Sequence, residues 1–196
     1  MPYIETMEDE QAQGRARELF AADRERLGYV ANYTRVFAHR PDVFAAWQEL
    51  LAAVRASMSP RRYELATVAA ARSLRSSYCT LAHGQVLASD HLDPVRVTSL
   101  VSDHRGAGLD EAEVAVMDLA AKVVDDATGV AQDDIDRLRG LGLDDLEVLD
   151  VVLAAAIRCF FSKTLDALGV EPDAAYADLE PGLRDALTVG RPIASE

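Results

Sequence analysis

"SPRRYELATVAAARSLRSSYCTLAHGQVLASD", residues 59–90, decides the fold class. Ser59 is a residue type that accepts a backbone N–H at a helix start, and Pro60 suits the first helical position, where no amide hydrogen is needed. Leu65, Val68, Ala69 and Leu74 then recur at helical spacing. Ser76 and Ser77 break the run. The spacing therefore predicts one helix over roughly 60–74 and a second over roughly 78–90.

The same signals continue outward on both sides. In "QAQGRARELFAADRERLG" (11–28), Leu19, Phe20, Asp23 and Leu27 share a stripe, and Gly28 suits a helix C-cap. Pro41 opens a stretch in which Val43, Phe44, Trp47, Leu50, Leu51 and Val54 recur at helical spacing. "LDEAEVAVMDLAAKVVDD" (109–126) carries the capping-box pair Asp110 and Glu113. "VAQDDIDRLRGLG" reads as a short helix ending at Gly140 or Gly142. "DDLEVLDVVLAAAIRCFFSKTLDALGV" (144–170) is the longest and most apolar, so it is expected as the central buried helix. The remainder, 171–196, carries three prolines and is expected to wrap the surface or pack on a neighbour. No run alternates with the period of a strand, so the chain is expected to be all-α.

Composition bounds the function. A chain of 196 residues, 49% apolar, suffices for one sizeable core, and a single domain over 1–196 is expected. Its parts are N-terminal helices (1–56), a core (57–170) and a C-terminal tail (171–196). The formal charge of −13 disfavours nucleic acid and anionic membrane surfaces as partners, because phosphate binding needs clustered Lys and Arg. "MPYIETMEDEQAQG" has no basic or apolar leader character. The longest apolar stretch, "VVLAAAI" (151–157), is far below the ~20 residues of a membrane span. Two cysteines, Cys79 and Cys159, make no disulfide framework, and a reducing cytoplasm is the expected setting. No phosphate-cradling glycine loop or Ser-His-Asp motif occurs, and no cofactor is expected. His39, His91 and His104 lack the spacing and acidic company of a metal site, and no metal is expected.

Chemistry concentrates around residue 79. A thiol reacts as the thiolate, which a helix N-terminus or a cationic neighbour favours. Cys79 falls in the first turn of its predicted helix, and His83, four residues on, shares its face. An imidazole there has the chemistry to take the thiol proton. Glu64, on the preceding helix, is of a type to orient that imidazole. In a tight antiparallel hairpin turning at residue 76, however, Glu64 and Cys79 would be offset by roughly 13 Å along the axis. Taken bare, Cys-x-x-x-His is a weak signal, and a lone cysteine in an alanine-rich helix is more often a small core residue. Cys159 reads as a buried core thiol, with a distant resolving cysteine as the alternative. Arg158 and Lys163 read as snorkelling side chains rather than the mouth of a site.

Glu64, Ser76, Cys79 and His83 match the spacing Glu-x11-Cys-x2-Cys-x3-His, with serine at the first cysteine. In that spacing the chain resembles the AhpD-like alkylhydroperoxidase and carboxymuconolactone decarboxylase superfamily. Tyr78 stands where the peroxidase-related branch often reads Cys-x-Tyr-Cys. "RERLGYVANYTRVFAHRPDVFAAW", "LDEAEVAVMDLAAKVV…DDIDRLRGLGLDDLEVLDVV" and "FSKTLDALGVEPD" resemble further blocks of that branch, in order.

The resemblance implies an AhpD-like helical bundle and a homo-oligomer, trimer or hexamer. It implies a peroxidase-related, thiol-dependent antioxidant enzyme with Cys79 as nucleophile, Glu64 and His83 as its proton relay, a hydroperoxide substrate and an external thiol reductant. Ser76 has the chemistry to cap the helix or hydrogen-bond a thiolate but not to close a disulfide, so the family's dithiol cycle is excluded within this motif. Two alternatives stand beside this: a non-redox, decarboxylase-like enzyme, and a small-molecule binder without turnover.

Overall fold

In the computed structural model, which describes residues 2–195, α-helices follow one another and no strand occurs among the described residues. They are α1 (Arg15–Leu27), α2 (Asn32–Phe37), α3 (Pro41–Ser57), α4 (Pro60–Ser73), α5 (Ser77–Asp90), α6 (Pro94–Ser102), α7 (Glu111–Asp126), α8 (Gln132–Gly140), α9 (Asp145–Ala167) and α10 (Pro181–Leu187). The caps read from the sequence are observed, whereas α1 starts only at Arg15 and α2, α6 and α10 are not among the expected helices. Ser59 Oγ accepts the Arg62 amide at 3.3 Å, and Asp110 with Glu113 closes a capping box. Asp144 with Glu147 closes another at the head of α9. Gly28 ends α1 at φ +86°, a conformation glycine adopts without steric cost.

The centre of the fold is α4, not α9. Leu65, Ala66, Thr67, Val68, Ala70 and Ala71 are all inaccessible, so α4 is buried all round, and its small side chains let α5, α7 and α9 approach closely. The expectation that α9 fills this role fails because one of its faces is open: Leu146 is 71% exposed, and Leu149, Leu153 and Phe160 are exposed too. Leu153 and Phe160 of that face, with Val43 and Leu50 of α3, line an apolar groove on the outside of the bundle.

The tail packs on its own chain. α10 lies against α5 and α6, and Leu187 is fully buried over Gly84. Beyond it, the Gly190 amide donates to Ser77 Oγ at 2.7 Å, pinning the tail to the head of α5. A β-carbon on Gly190 would sit 1.9 Å from the Arg75 carbonyl oxygen, so only glycine permits this approach. No helix among the described residues is long and apolar enough to cross a membrane.

Candidate active site

α5 starts at Ser77, which places Cys79 in its first turn, beside the positive end of the helix dipole. The thiol is 1% exposed and packs against Ala71, Tyr78 and Phe161. Its hydrogen-bond partner comes from α9: Arg158 Nη1 donates to Cys79 Sγ at 3.5 Å, while Nη2 reaches the Tyr63 hydroxyl at 3.4 Å. Arg158 is 2% exposed. It therefore does not snorkel, and the expectation for this residue is corrected. Lys163, on the same helix, is exposed. A guanidinium keeps its proton even where burial disfavours it. Here burial works against the charge, but the Cys79 sulfur and the Tyr63 oxygen hold the Arg158 pKa above its ordinary value.

Glu64 and His83 meet directly, the carboxylate Oε2 lying 2.7 Å from His83 Nδ1. His83 stands seven residues after Ser76 and Glu64 twelve before it, so the axial mismatch is roughly 8 Å, within reach of two long side chains on crossing helices. The offset that separates Glu64 from Cys79 is thus much smaller for Glu64 and His83. A carboxylate only accepts, so Nδ1 carries the hydrogen and Nε2 keeps its lone pair. Burial, then the positive charge of Arg158, pushes the His83 pKa below its ordinary 6.5, against the pull of Glu64. The imidazole is neutral near pH 7, as a base must be. Arg55 Nη2 stands 4.0 Å from the other Glu64 oxygen.

Glu64, Cys79, His83 and Arg158 line one cavity of about 440 Å³. Part of its wall is aromatic: the Trp47 and Phe161 rings stack at 4.4 Å, and Phe44 and Tyr33 pack against them, while Asp23, Arg26, Gln48 and Gln85 add polar groups. Asp173, delivered by the tail, is 4% exposed and accepts from the Asn32 amide at 2.7 Å and the Tyr78 hydroxyl at 2.5 Å. Burial raises the Asp173 pKa against those hydrogen bonds. Burial, with the Asp173 charge second, pushes Tyr29 up to about 12.

Ser76 is not among the cavity-lining residues. It occupies the N-cap position of α5, yet its hydroxyl caps no backbone amide; it is fully buried and near Asp166 without hydrogen-bond geometry. Cys159 is partly exposed and also absent from the cavity wall, which corrects the expectation of a buried thiol. His104 does have acidic company, since Asp118 lies 2.7 Å from its Nε2, but Arg105 and Arg137 saturate that carboxylate. Among the described residues no group of three or more His, Cys, Asp or Glu side chains could hold a metal. The residues that sequence reasoning missed are Arg158, Tyr63 and Asp173. One signal was present for Arg158: a lone guanidinium inside "AAAIRCFF", where a charge survives burial only with a partner.

The sequence matches no protein-family profile and no curated protein. Among solved structures it is similar to the alkylhydroperoxidase AhpD core of an uncharacterised peroxidase-related protein from Ralstonia eutropha JMP134, with TM-score 0.80 over 89% of this chain and 94% of that one. The chain has the AhpD fold. Sequence identity to that structure is 22%. A second AhpD-fold neighbour, an uncharacterised peroxidase-related protein from Silicibacter sp. TM1040, aligns with TM-score 0.74 and 23% identity over 90% of this chain and 92% of its own. The debrominase Bmp8, as a cysteine-to-alanine variant in complex with 2,3,4-tribromopyrrole, aligns with TM-score 0.71 and 14% identity over 93% and 94%.

Proposed function

We propose that the protein is a one-cysteine, thiol-dependent enzyme of the peroxidase-related kind, which reduces a small hydroperoxide with Cys79 as nucleophile. The observation that carries this reading is the contact between Arg158 and Cys79 on a cavity wall. A buried guanidinium needs a counter-charge, and no carboxylate lies within ion-pair distance of Arg158 among the described residues. Cys79 Sγ is the atom its Nη1 meets, and once the thiol proton has been taken the sulfur supplies that charge. The two peroxidase-related neighbours of the same fold support the reaction class.

In the proposed reaction His83 takes the thiol proton as general base, oriented by Glu64. The thiolate attacks one peroxide oxygen, the O–O bond breaks, and Cys79 is oxidised to the sulfenic acid. The leaving alkoxide takes the proton from His83 and departs as the alcohol. An external thiol then condenses with the sulfenic acid, releasing water and forming a mixed disulfide. A second thiol frees Cys79 and leaves as the oxidised disulfide. External resolution follows from Ser76, which has no sulfur, and from Cys159, which is absent from the cavity wall. Ser76 stands in the proposal at the first cysteine position of the motif, as the N-cap residue of the helix that carries Cys79.

A second reading draws on the aromatic walls and on the debrominase neighbour: removal of halogen from a small ring. The thiolate would take the halogen, the ring carbanion would be protonated, and external thiol would displace halide to give the same mixed disulfide.

The test is mass spectrometry of the native protein after hydroperoxide treatment with a sulfenate trap, alongside turnover of cumene hydroperoxide with dithiothreitol. The expected result is a trapped adduct on Cys79 and turnover abolished in Cys79→Ser. Turnover that survives Cys79→Ser overturns the thiol mechanism. A halide-release assay with bromopyrroles separates the second reading from the first.

A further inference from the structure

The cavity wall sorts its charges by depth. Its three carboxylates, Asp23, Glu64 and Asp173, are all buried, whereas two of its arginines, Arg26 and Arg55, are exposed. The other exposed polar residues on the wall are Gln48 and Gln85. The rim therefore carries positive charge and amides but no exposed acid, in a chain with 33 acidic residues against 20 Lys and Arg. At physiological ionic strength a charge is felt over about 8 Å, so a ligand entering here meets the rim rather than the net −13.

The buried carboxylates are already matched. Asp23 accepts from the Ala31 amide and Arg26, Asp173 from Asn32, Tyr78 and Tyr29, and Glu64 from His83. Arg26 is matched too, since its Nη2 donates to Asp23 at 3.0 Å and to the Tyr33 hydroxyl at 2.7 Å. Arg55 is not. Its side chain is 56% exposed and donates no hydrogen bond among the described residues; Nη2 stands 4.0 Å from Glu64 Oε1, and the guanidinium lies 5.3 Å from the Tyr63 ring. Its Nε and Nη1 donors are left without a protein partner. The planar fork of an arginine matches a carboxylate through two parallel hydrogen bonds. Arg55 also stands next to the chemistry: Glu64, which it faces, holds His83, and Cys79 lies on the same wall. Partly exposed Leu27, Leu51 and Val86 give that wall apolar surface for the body of a ligand.

We propose that the cavity takes a small hydroperoxide bearing a carboxylate, and that this carboxylate seats on Arg55 at the rim while the peroxide reaches Cys79. The inference deepens the reading above and rests on it for the peroxide alone. Arg55 is then a specificity-determining residue: it binds the substrate at a group that does not react.

The probes are hexanoate and hexanamide, which differ in charge but hardly in shape, titrated into the native protein and followed by saturation-transfer NMR. Hexanoate is expected to bind about tenfold more tightly than the amide, the difference a charge-assisted pair makes. Arg55→Gln should bring hexanoate down to the level of the amide, and Arg55→Lys should recover part of the loss. Lys163→Gln makes the same change in net charge at an exposed residue off the cavity wall and should leave hexanoate binding as it is. Circular dichroism checks that the variants fold, and the comparison of the two probes on the native protein needs no variant. In turnover, Arg55→Gln should raise KM about tenfold for cumene hydroperoxide carrying a para-carboxylate, with KM for cumene hydroperoxide itself little changed. Equal binding of the two probes, no hexanoate binding at millimolar concentration, or equal losses in Arg55→Gln and Lys163→Gln overturns the inference. Hexanoate that is not preferred while Cys79 still forms a sulfenate overturns this inference alone. Hexanoate that is preferred through Arg55 while no sulfenate forms overturns the peroxidase reading and leaves the carboxylate site standing.

Discussion

Arg158 and Cys79 stand 79 residues apart in the chain and 3.5 Å apart in the fold. The thiol thus has its cation across a helix interface rather than on its own helix. His83, four residues from Cys79, instead turns its Nδ1 to Glu64. The two contacts are thus separate: Arg158 brings a positive charge to the sulfur, and the Glu64–His83 pair lines the same cavity.

Arg158→Met should therefore slow iodoacetamide labelling of Cys79 at neutral pH by about tenfold, since a charge-assisted contact is lost from the thiolate. Ser76→Ala should leave labelling nearly unchanged, because the Ser76 hydroxyl bonds neither to the sulfur nor to a backbone amide. Unchanged labelling in Arg158→Met would remove the guanidinium from the mechanism. Ser76→Cys is the complementary gain: a Cys-x-x-Cys pair expected to close on oxidation, measured as thiols lost per chain.

The His83 shift has a definite sign in stability. Burial holds its native pKa below 6.5, whereas the unfolded imidazole takes a proton at about that pH. Between the two values the unfolded chain holds more protons, so stability falls as pH drops from about 7 toward about 5. Urea midpoints at the two ends of that window should differ more for the native protein than for His83→Gln. Identical slopes in both proteins would show that His83 is not protonated differently on unfolding.

Tyr78→Phe removes one donor from the buried carboxylate of Asp173, whose 2.5 Å partner it is. The expected cost is about 1–3 kcal/mol, read as a lower denaturation midpoint. Asp173→Asn should cost less at neutral pH, because an amide oxygen in place of Oδ1 still accepts from the Asn32 amide, the amide nitrogen in place of Oδ2 donates to the Tyr78 hydroxyl, and no buried charge remains.

Gly190→Ala should loosen the tail from the head of α5, with a cost of about 1–3 kcal/mol from the clash with the Arg75 carbonyl. Limited proteolysis should then cut between residues 188 and 195 faster than in the native protein. An unaltered cleavage rate would show that the tail holds without this contact.

The apolar face of α3 and α9, where Leu50 is 55% exposed and Phe160 44%, is expected to be covered by further copies of the chain. Light scattering at micromolar concentration should report an oligomer, and the pair Leu50→Glu with Phe160→Glu should lower its mass. A native protein that is already monomeric would refute the expectation.

Most of the helix boundaries were legible in the sequence, because capping is local chemistry: Ser59 before Pro60, Asp110 with Glu113, Gly28 in a left-handed turn. Cys79 in a first turn was legible for the same reason. Arg158 was not, since its meaning depends on which face of α9 meets α5, and helical periodicity alone does not choose a partner. The Glu64–His83 pair was half legible: both residues stood out, but an axial offset worked out for Cys79 hid the shorter one for His83. Asp173 lies in an irregular, proline-bearing tail, where no periodicity announces a buried carboxylate.

Because α4 is enclosed from Tyr63 through Ala71, it has no outer side on which sequence drift can be absorbed. In a saturation-mutagenesis map, ordinary amphipathic helices give tolerance that rises and falls every three to four positions. This stretch should instead give one unbroken intolerant block, Glu64 included, so that the acid of the dyad cannot be told from its structural neighbours by mutational sensitivity alone. Only the chemistry of the replacement will separate them: Glu64→Gln nearly keeps the volume and should spare the fold while silencing the pair.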